Sequence, residues 1–197
     1  TIFWTQAGIP KMTASDVRRA DIASARFLHV DGLEMDAQLA AASMAKECGT
    51  TVVMDAEGVW PGTKELLALC DVIIASEAFI RAYTGERNAT SGASALYGEH
   101  QKIDPRKIVV VTAGVRGSVC VSADGSFLQP AFDVDVVDTT GCGDVYHGAF
   151  IFGLLRKWDL RRTAQFASAV AALKCRELGG RAGIPTLPEV QRFLGSR

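Results

Sequence analysis

The chain has 197 residues, 48% hydrophobic and 22% charged, a globular composition that excludes a disordered chain. Its 21 Lys and Arg offset 22 Asp and Glu to a net charge of −1, leaving no cationic excess to hold a nucleic acid by its phosphates. No apolar run approaches the roughly 18–20 residues needed to span a bilayer.

The run Thr1–Ile2–Phe3–Trp4 reads as a strand without lead-in, and no Met precedes it. The chain is therefore expected to be the C-terminal part of a longer protein. Residues 26–30 predict the next strand, and residues 36–47 an amphipathic helix with Leu39, Ala40 and Met44 at helical spacing. A strand at 51–55, a short helix at 64–69 and a strand at 71–75 follow. Helical patterns at 77–83 and 93–101 lead to the strongest strand, 108–112. Apolar strands alternating with helices predict a parallel sheet covered on both faces.

Beyond Thr112 the texture changes. Residues 117–122 and 127–128 flank the turn Asp124–Gly125 as a hairpin. Phe132, Val134 and Val136 alternate with Asp133 and Asp135, which predicts a strand over 131–138 exposed on one face. Helices at 143–155 and 160–178 complete one α/β domain over residues 1–197, with no repeat and no linker.

Residues 137–150 carry the chemistry. A strand ends, a turn of small residues follows, and a helix begins with an acidic residue in its first turn. Gly141 and Gly143 let the backbone turn tightly and a bulky anion approach. The free N–H groups and positive dipole end of the helix favour a phosphate there. Gly141, Cys142 and Gly143 thus offer an oxyanion site, with Asp144 beside it to accept a proton from a hydroxyl attacking phosphorus. The plainer alternative is that Asp144 caps a helix and the glycines serve packing.

Upstream, Thr112–Ala113–Gly114–Val115–Arg116–Gly117–Ser118 joins a buried strand to the hairpin, and its glycines and hydroxyls suit a nucleotide. No GxxxxGK[ST] loop occurs and no GxGxxG opens a helix, so two other nucleotide-binding classes are excluded. Cys48, Cys70, Cys120, Cys142 and Cys175 are odd in number, widely spaced and never CxxC. They read as reduced thiols of a cytoplasmic protein. At a helix N-terminus Cys142 is placed where a thiol pKa can fall, although no partner base accompanies it. His147 reads as a packing or supporting residue near Asp144.

Together these motifs resemble the ribokinase-like (pfkB) family of carbohydrate kinases. Asp138–Thr139–Thr140–Gly141–Cys142–Gly143–Asp144 matches the family's DTxGxGD signature, and Thr112–Ala113–Gly114–Val115–Arg116–Gly117 its TxGxxG motif. Gly180–Arg181–Ala182–Gly183–Ile184–Pro185 is similar to the turn that closes its adenine pocket. The resemblance implies a three-layer α/β/α sandwich and transfer of the γ-phosphoryl group of ATP to a sugar hydroxyl. It implies Asp144 as base and Gly141, Cys142 and Gly143 as anion hole. Thr112, Gly114, Gly117 and Ser118 would line the nucleotide site, and Ser168, Ala171, Ala172 and Gly183 would border adenine. Mg²⁺ would accompany ATP, and a monovalent cation such as K⁺ would involve Asp138 and Thr140. A small-molecule sugar would be the partner, and the full-length protein would be a homodimer.

Two departures stand out. The family's NxxE motif falls at Ser76–Glu77–Ala78–Phe79, with both defining residues replaced. That leaves Glu57 as the substitute carboxylate for the Mg²⁺ network, and the serine is similar to the ketohexokinase-like branch. The family's sugar-selecting residues and β lid would precede Thr1. A nucleoside or hydroxymethylpyrimidine kinase of the same fold, or a non-catalytic nucleotide-binding relative, stays open as an alternative.

Overall fold

The computed structural model describes residues 8–196; the strand read at residues 1–4 lies outside them. After α1 (Arg19–Ser24), the strands β1 (Phe27–Val30), β2 (Thr51–Ala56), β3 (Val72–Ser76) and β4 (Ile108–Thr112) pair in that order and in parallel. The hairpin β5 (Ser118–Ser122) and β6 (Gly125–Gln129) extends the sheet antiparallel. The crossovers are α2 (Met35–Cys48), α3 (Thr63–Leu69) and the pair α4 (Glu77–Thr84) and α5 (Ala89–His100). Three more helices follow: α6 (Cys142–Leu155), α7 (Leu160–Lys174) and α8 (Leu187–Gly195).

Successive strand side chains point to opposite faces. Val52, Met54, Ile73, Val109 and Val111 pack against Ala42, Leu66, Phe79 and Leu96 of α2 to α5. Val53, Val72, Ile74, Val110 and Cys120 pack against Phe150, Ala167, Ala169 and Val190 of α6 to α8. Both faces are covered, which is why the strands read as unbroken apolar runs. The fold is the three-layer α/β/α sandwich implied by the motifs.

Two expectations are corrected. Residues 131–138 form no strand. Pro130 follows β6 and has no N–H to give a ladder. The segment instead runs along the end of α7, where the N–H groups of Val137 and Asp138 both donate to Cys175 O, at 2.8 and 3.0 Å. Its Phe132 meets Phe193 edge-on at 5.2 Å, so its alternation reports a segment lying on helices. The last helix read to residue 178 stops at Lys174, and α8, absent from the sequence reading, follows. A capping box of Thr186 and Glu189, with Pro188 in the first turn, starts it. The short α1 was likewise not anticipated.

Parallel order puts the carboxyl ends of β1 to β4 on one edge, where open α/β sheets bind ligands. Away from that edge, Lys107 donates to Leu67 O, Ala68 O and Cys70 O and ties the end of α3 to the start of β4. His100 on α5 is buried, and neither ring nitrogen has a hydrogen-bond partner among the described residues. Burial, aided by the charge of Lys107, holds its pKa below the ordinary histidine value. The unfolded chain protonates this ring below about pH 6.5, whereas the folded chain resists. Stability is therefore expected to fall as pH drops through that range. Urea midpoints at pH 7.5 and 5.5 should differ less for His100→Leu than for the unaltered chain; equal losses would remove His100 as the cause.

Candidate active site

The first turn of α6 is built to leave donors free. Its N-cap is Gly141 at φ +76°, with no side chain capping the helix. A Cβ there would also lie 2.8 Å from Gly180 O, so the position needs glycine for conformation and for close approach. Cys142 N–H donates to Thr139 O at 3.1 Å and Val145 N–H to Gly141 O at 3.0 Å. The N–H groups of Gly143 and Asp144 have no carbonyl partner among the described residues. A Cβ on Gly143 would meet open space, and Asp144 is exposed on the same turn. Free amides at the positive end of a helix form an anion site.

Beside the turn lies a cleft of about 280 Å³, bordered by Thr112, Gly114, Gly117, Cys142, Gly143, Ser168, Ala171 and Ala172. The structure thus gathers at one cleft residues that are far apart in the chain. Its remaining wall is apolar, formed by Val115, Val134, Val136 and Tyr146 among others. The sequence reading missed these residues, since the signal in 131–138 was taken for a strand. Gly117, at φ +94°, would bring a Cβ to 2.0 Å from Gln129 O.

Three sequence candidates lie off the cleft. Register sets Ser76, Thr112 and Ser118 side by side across β3, β4 and β5, yet only Thr112 reaches it. Ser118 is buried, its hydroxyl 2.8 Å from Tyr146 Oη. Ser76 caps α4, accepting from Phe79 N–H at 3.1 Å. Gly183 packs against the end of α7, where a Cβ would lie 2.5 Å from Lys174 O, and borders a neighbouring groove with Glu177 and Pro185.

The charged groups have structural causes. The N–H groups of Thr140 and Gly179 donate to the Asp138 carboxylate at 2.9 and 2.7 Å and hold its pKa down at about 2. Lys174 Nζ donates to Asp138 O at 3.0 Å. Phe79, at the second NxxE position, is fully buried and stacks on Tyr83 at 5.4 Å, so that departure serves the core. Glu77 pairs with Arg116 and ties α4 to the TxGxxG turn. Glu57 is exposed just past β2. Among the described residues no group of three His, Cys, Asp or Glu could hold a metal ion. The Sγ of Cys142 lies 2.8 Å from Cys175 Sγ, and burial with that contact pushes its pKa up to about 12. Desolvation outweighs the helix terminus here, and Cys142 offers its backbone, not a thiolate.

The pfkB family carbohydrate kinase profile matches residues 2–187, and the chain belongs to that family. It is 33% identical to the ATP-dependent ribose-1-phosphate kinase of Halopiger xanaduensis, over 92% of this chain and 58% of that protein. It is 32% identical to the ribokinase of Haemophilus influenzae, over 84% of this chain and 52% of that one. It thus spans little more than half the length of these relatives. The Arabidopsis thaliana ribokinase complexed with ribose and ATP superposes with a TM-score of 0.80 at 23% identity, over 94% of this chain and 60% of that one.

The two glycines of the turn are expected to respond differently to substitution. Gly143→Val should leave the fold intact, since its side chain enters open space, while filling the volume in front of the free amides. Gly141→Ala should destabilise the chain by about 1 kcal/mol or more, from the left-handed backbone and the contact with Gly180 O. Thermal melts and ATP titration of both variants test this; unchanged ATP binding in Gly143→Val would show that no anion sits there.

Proposed function

We propose that this chain carries the phosphoryl-transfer site of an ATP-dependent carbohydrate kinase. The observation that carries the reading is the uncapped α6 turn, with free Gly143 and Asp144 N–H groups and the Asp144 carboxylate beside a nucleotide-sized cleft. Family membership and the relatives named above support it.

On this reading the purine lies in the apolar part of the cleft, against Ala171, Ala172 and Val136, and Thr112 and Gly114 border the phosphates. The Gly141–Gly143 backbone faces the transferring group and stabilises charge on its equatorial oxygens. Asp144 accepts the proton of a sugar hydroxyl as its oxygen bonds to the γ-phosphorus, and the bond to the β-phosphate oxygen breaks to release ADP. The free amides and open space at Gly143 fit the polyphosphate. With no three-ligand cluster among the described residues, Mg²⁺ would be held by the phosphates and water, with Glu57 as the candidate carboxylate. Bound there, Mg²⁺ would neutralise phosphate charge.

Asp144→Asn keeps side-chain volume but cannot accept the proton. In the natural protein that contains this chain, kcat should fall about 10²–10⁴-fold with ATP affinity retained. Coupled ADP release over a panel of ketoses and pentoses measures it; more than a tenth of the original kcat would refute the role.

The monovalent-cation reading of Asp138 and Thr140 meets the Lys174 side chain, which already donates to Asp138 O. Turnover is expected to be alike in K⁺ and Na⁺ buffers of equal ionic strength. A strong K⁺ requirement would show that a cation binds in spite of Lys174.

A further inference from the structure

His147 and Asp55 are polar groups that the kinase reading leaves unused. His147, 3% exposed, sits on α6 three residues beyond Asp144 and so on a neighbouring part of the helix face. Its Nδ1 lies 2.7 Å from Gly143 O. Its Nε2 lies 3.3 Å from Asp55 Oδ1 and 3.4 Å from Ile74 O. Two of these partners are carbonyls, which can only accept, and the third is a carboxyl oxygen at ion-pair distance. Asp55 Oδ1 is buried and has no hydrogen-bond partner among the described residues, so His147 stands beside it at ion-pair distance only.

We infer that His147 is a positioning residue of the phosphoryl-transfer site, holding the first turn of α6 on β2 and β3 through Gly143 O, Asp55 and Ile74 O. The inference rests on the kinase reading of that turn. The physical reason is the missing cap: a side chain capping α6 would occupy the amides an anion needs. The turn must therefore be held by groups that do not touch those amides. His147 does this from one turn further along, gripping a carbonyl of the turn and two strands of the sheet. A buried imidazole used only to fill volume would cost stability unless bonded at both nitrogens, and here both bonds converge on the site.

The surroundings make this hold depend on pH. Asp55 at the end of β2 faces His147, Glu57, Asp144 and Asp31. The ring of His29 on β1 lies tilted at 43° to that of His147 with centroids 5.8 Å apart, and its pKa is lowered by desolvation and by His147. Burial is the largest cause, and with the three neighbouring carboxylates it pushes Asp55 up to about 6. Above that pH Asp55 is an ionised carboxylate 3.3 Å from His147 Nε2. Below it Asp55 is protonated, its electrostatic hold on His147 is lost and the turn loosens.

The test uses the natural protein that contains this chain, with saturating MgATP and the best acceptor from the sugar panel. His147→Leu and His147→Gln are expected to lower kcat about 10–100-fold, while KM for ATP changes by less than about threefold, because the cleft wall is untouched. Circular dichroism checks folding; if His147→Leu does not fold, His147→Gln, which presents a single amide in place of two ring nitrogens, carries the comparison. The unaltered protein should show kcat falling as pH drops through about 6, and Asp55→Asn should lack that limb. Original kcat in the folded His147 variants, or the same limb in Asp55→Asn, overturns the inference and leaves the kinase reading standing. If the unaltered protein turns over no acceptor, the kinase reading fails and the inference with it.

Discussion

A helix N-terminus that binds an anion cannot also be capped by its own side chains. The rest of this site follows from that constraint. Gly141 turns the chain in a left-handed conformation without supplying a cap, so the amides of Gly143 and Asp144 have no carbonyl partner among the described residues. The turn is then braced from both flanks. Asp138 takes the N–H groups of Thr140 and Gly179, and His147 takes Gly143 O and reaches Asp55. Bracing by side chains that avoid the free amides keeps an anion site rigid without occupying it.

The order of strands gives the two flanks different chemistry. Toward β4 and β5 the turn meets a cleft walled by Val115, Val134, Val136 and Tyr146, suited to a flat base. Toward β1 and β2 it meets His29, Asp31, Asp55 and Glu57, whose charges act on one another. The turn therefore lies between an apolar flank and a polar flank, which the proposed transfer from nucleotide to sugar would use. Parallel strands supply it because their carboxyl ends share one edge.

Departures from the family pattern also have local causes. The position that would hold the NxxE glutamate holds Phe79, which fills the core and stacks on Tyr83. A carboxylate there would need a partner in the apolar layer under α4. Lys174 reaches the carbonyl of Asp138, where the resemblance anticipated an ion. Cys142 turns its thiol to Cys175, away from any nucleophilic use.

Much of the site was legible in the chain because its signals are short-range. Two glycines flanking Cys142, an acidic first turn and an apolar strand before a Gly-rich turn each act over a few residues, and the structure shows the turn and cleft where they were read. The alternating strands and helices predicted the sheet for the same reason. Residues 131–138 misled, because a segment lying on helices alternates as a strand does, and only a partner edge distinguishes them. Ser118 and Gly183 were placed by motif, but which way a side chain faces depends on strand register and on what packs behind it. The bracing by His147 and Asp55 was invisible: a histidine on an apolar helix and an aspartate near the end of a strand carry no shared local signal. Only the tertiary structure decided that they meet, because α6 packs on β2 and β3, burying His147 and leaving Asp55 half-buried beside it.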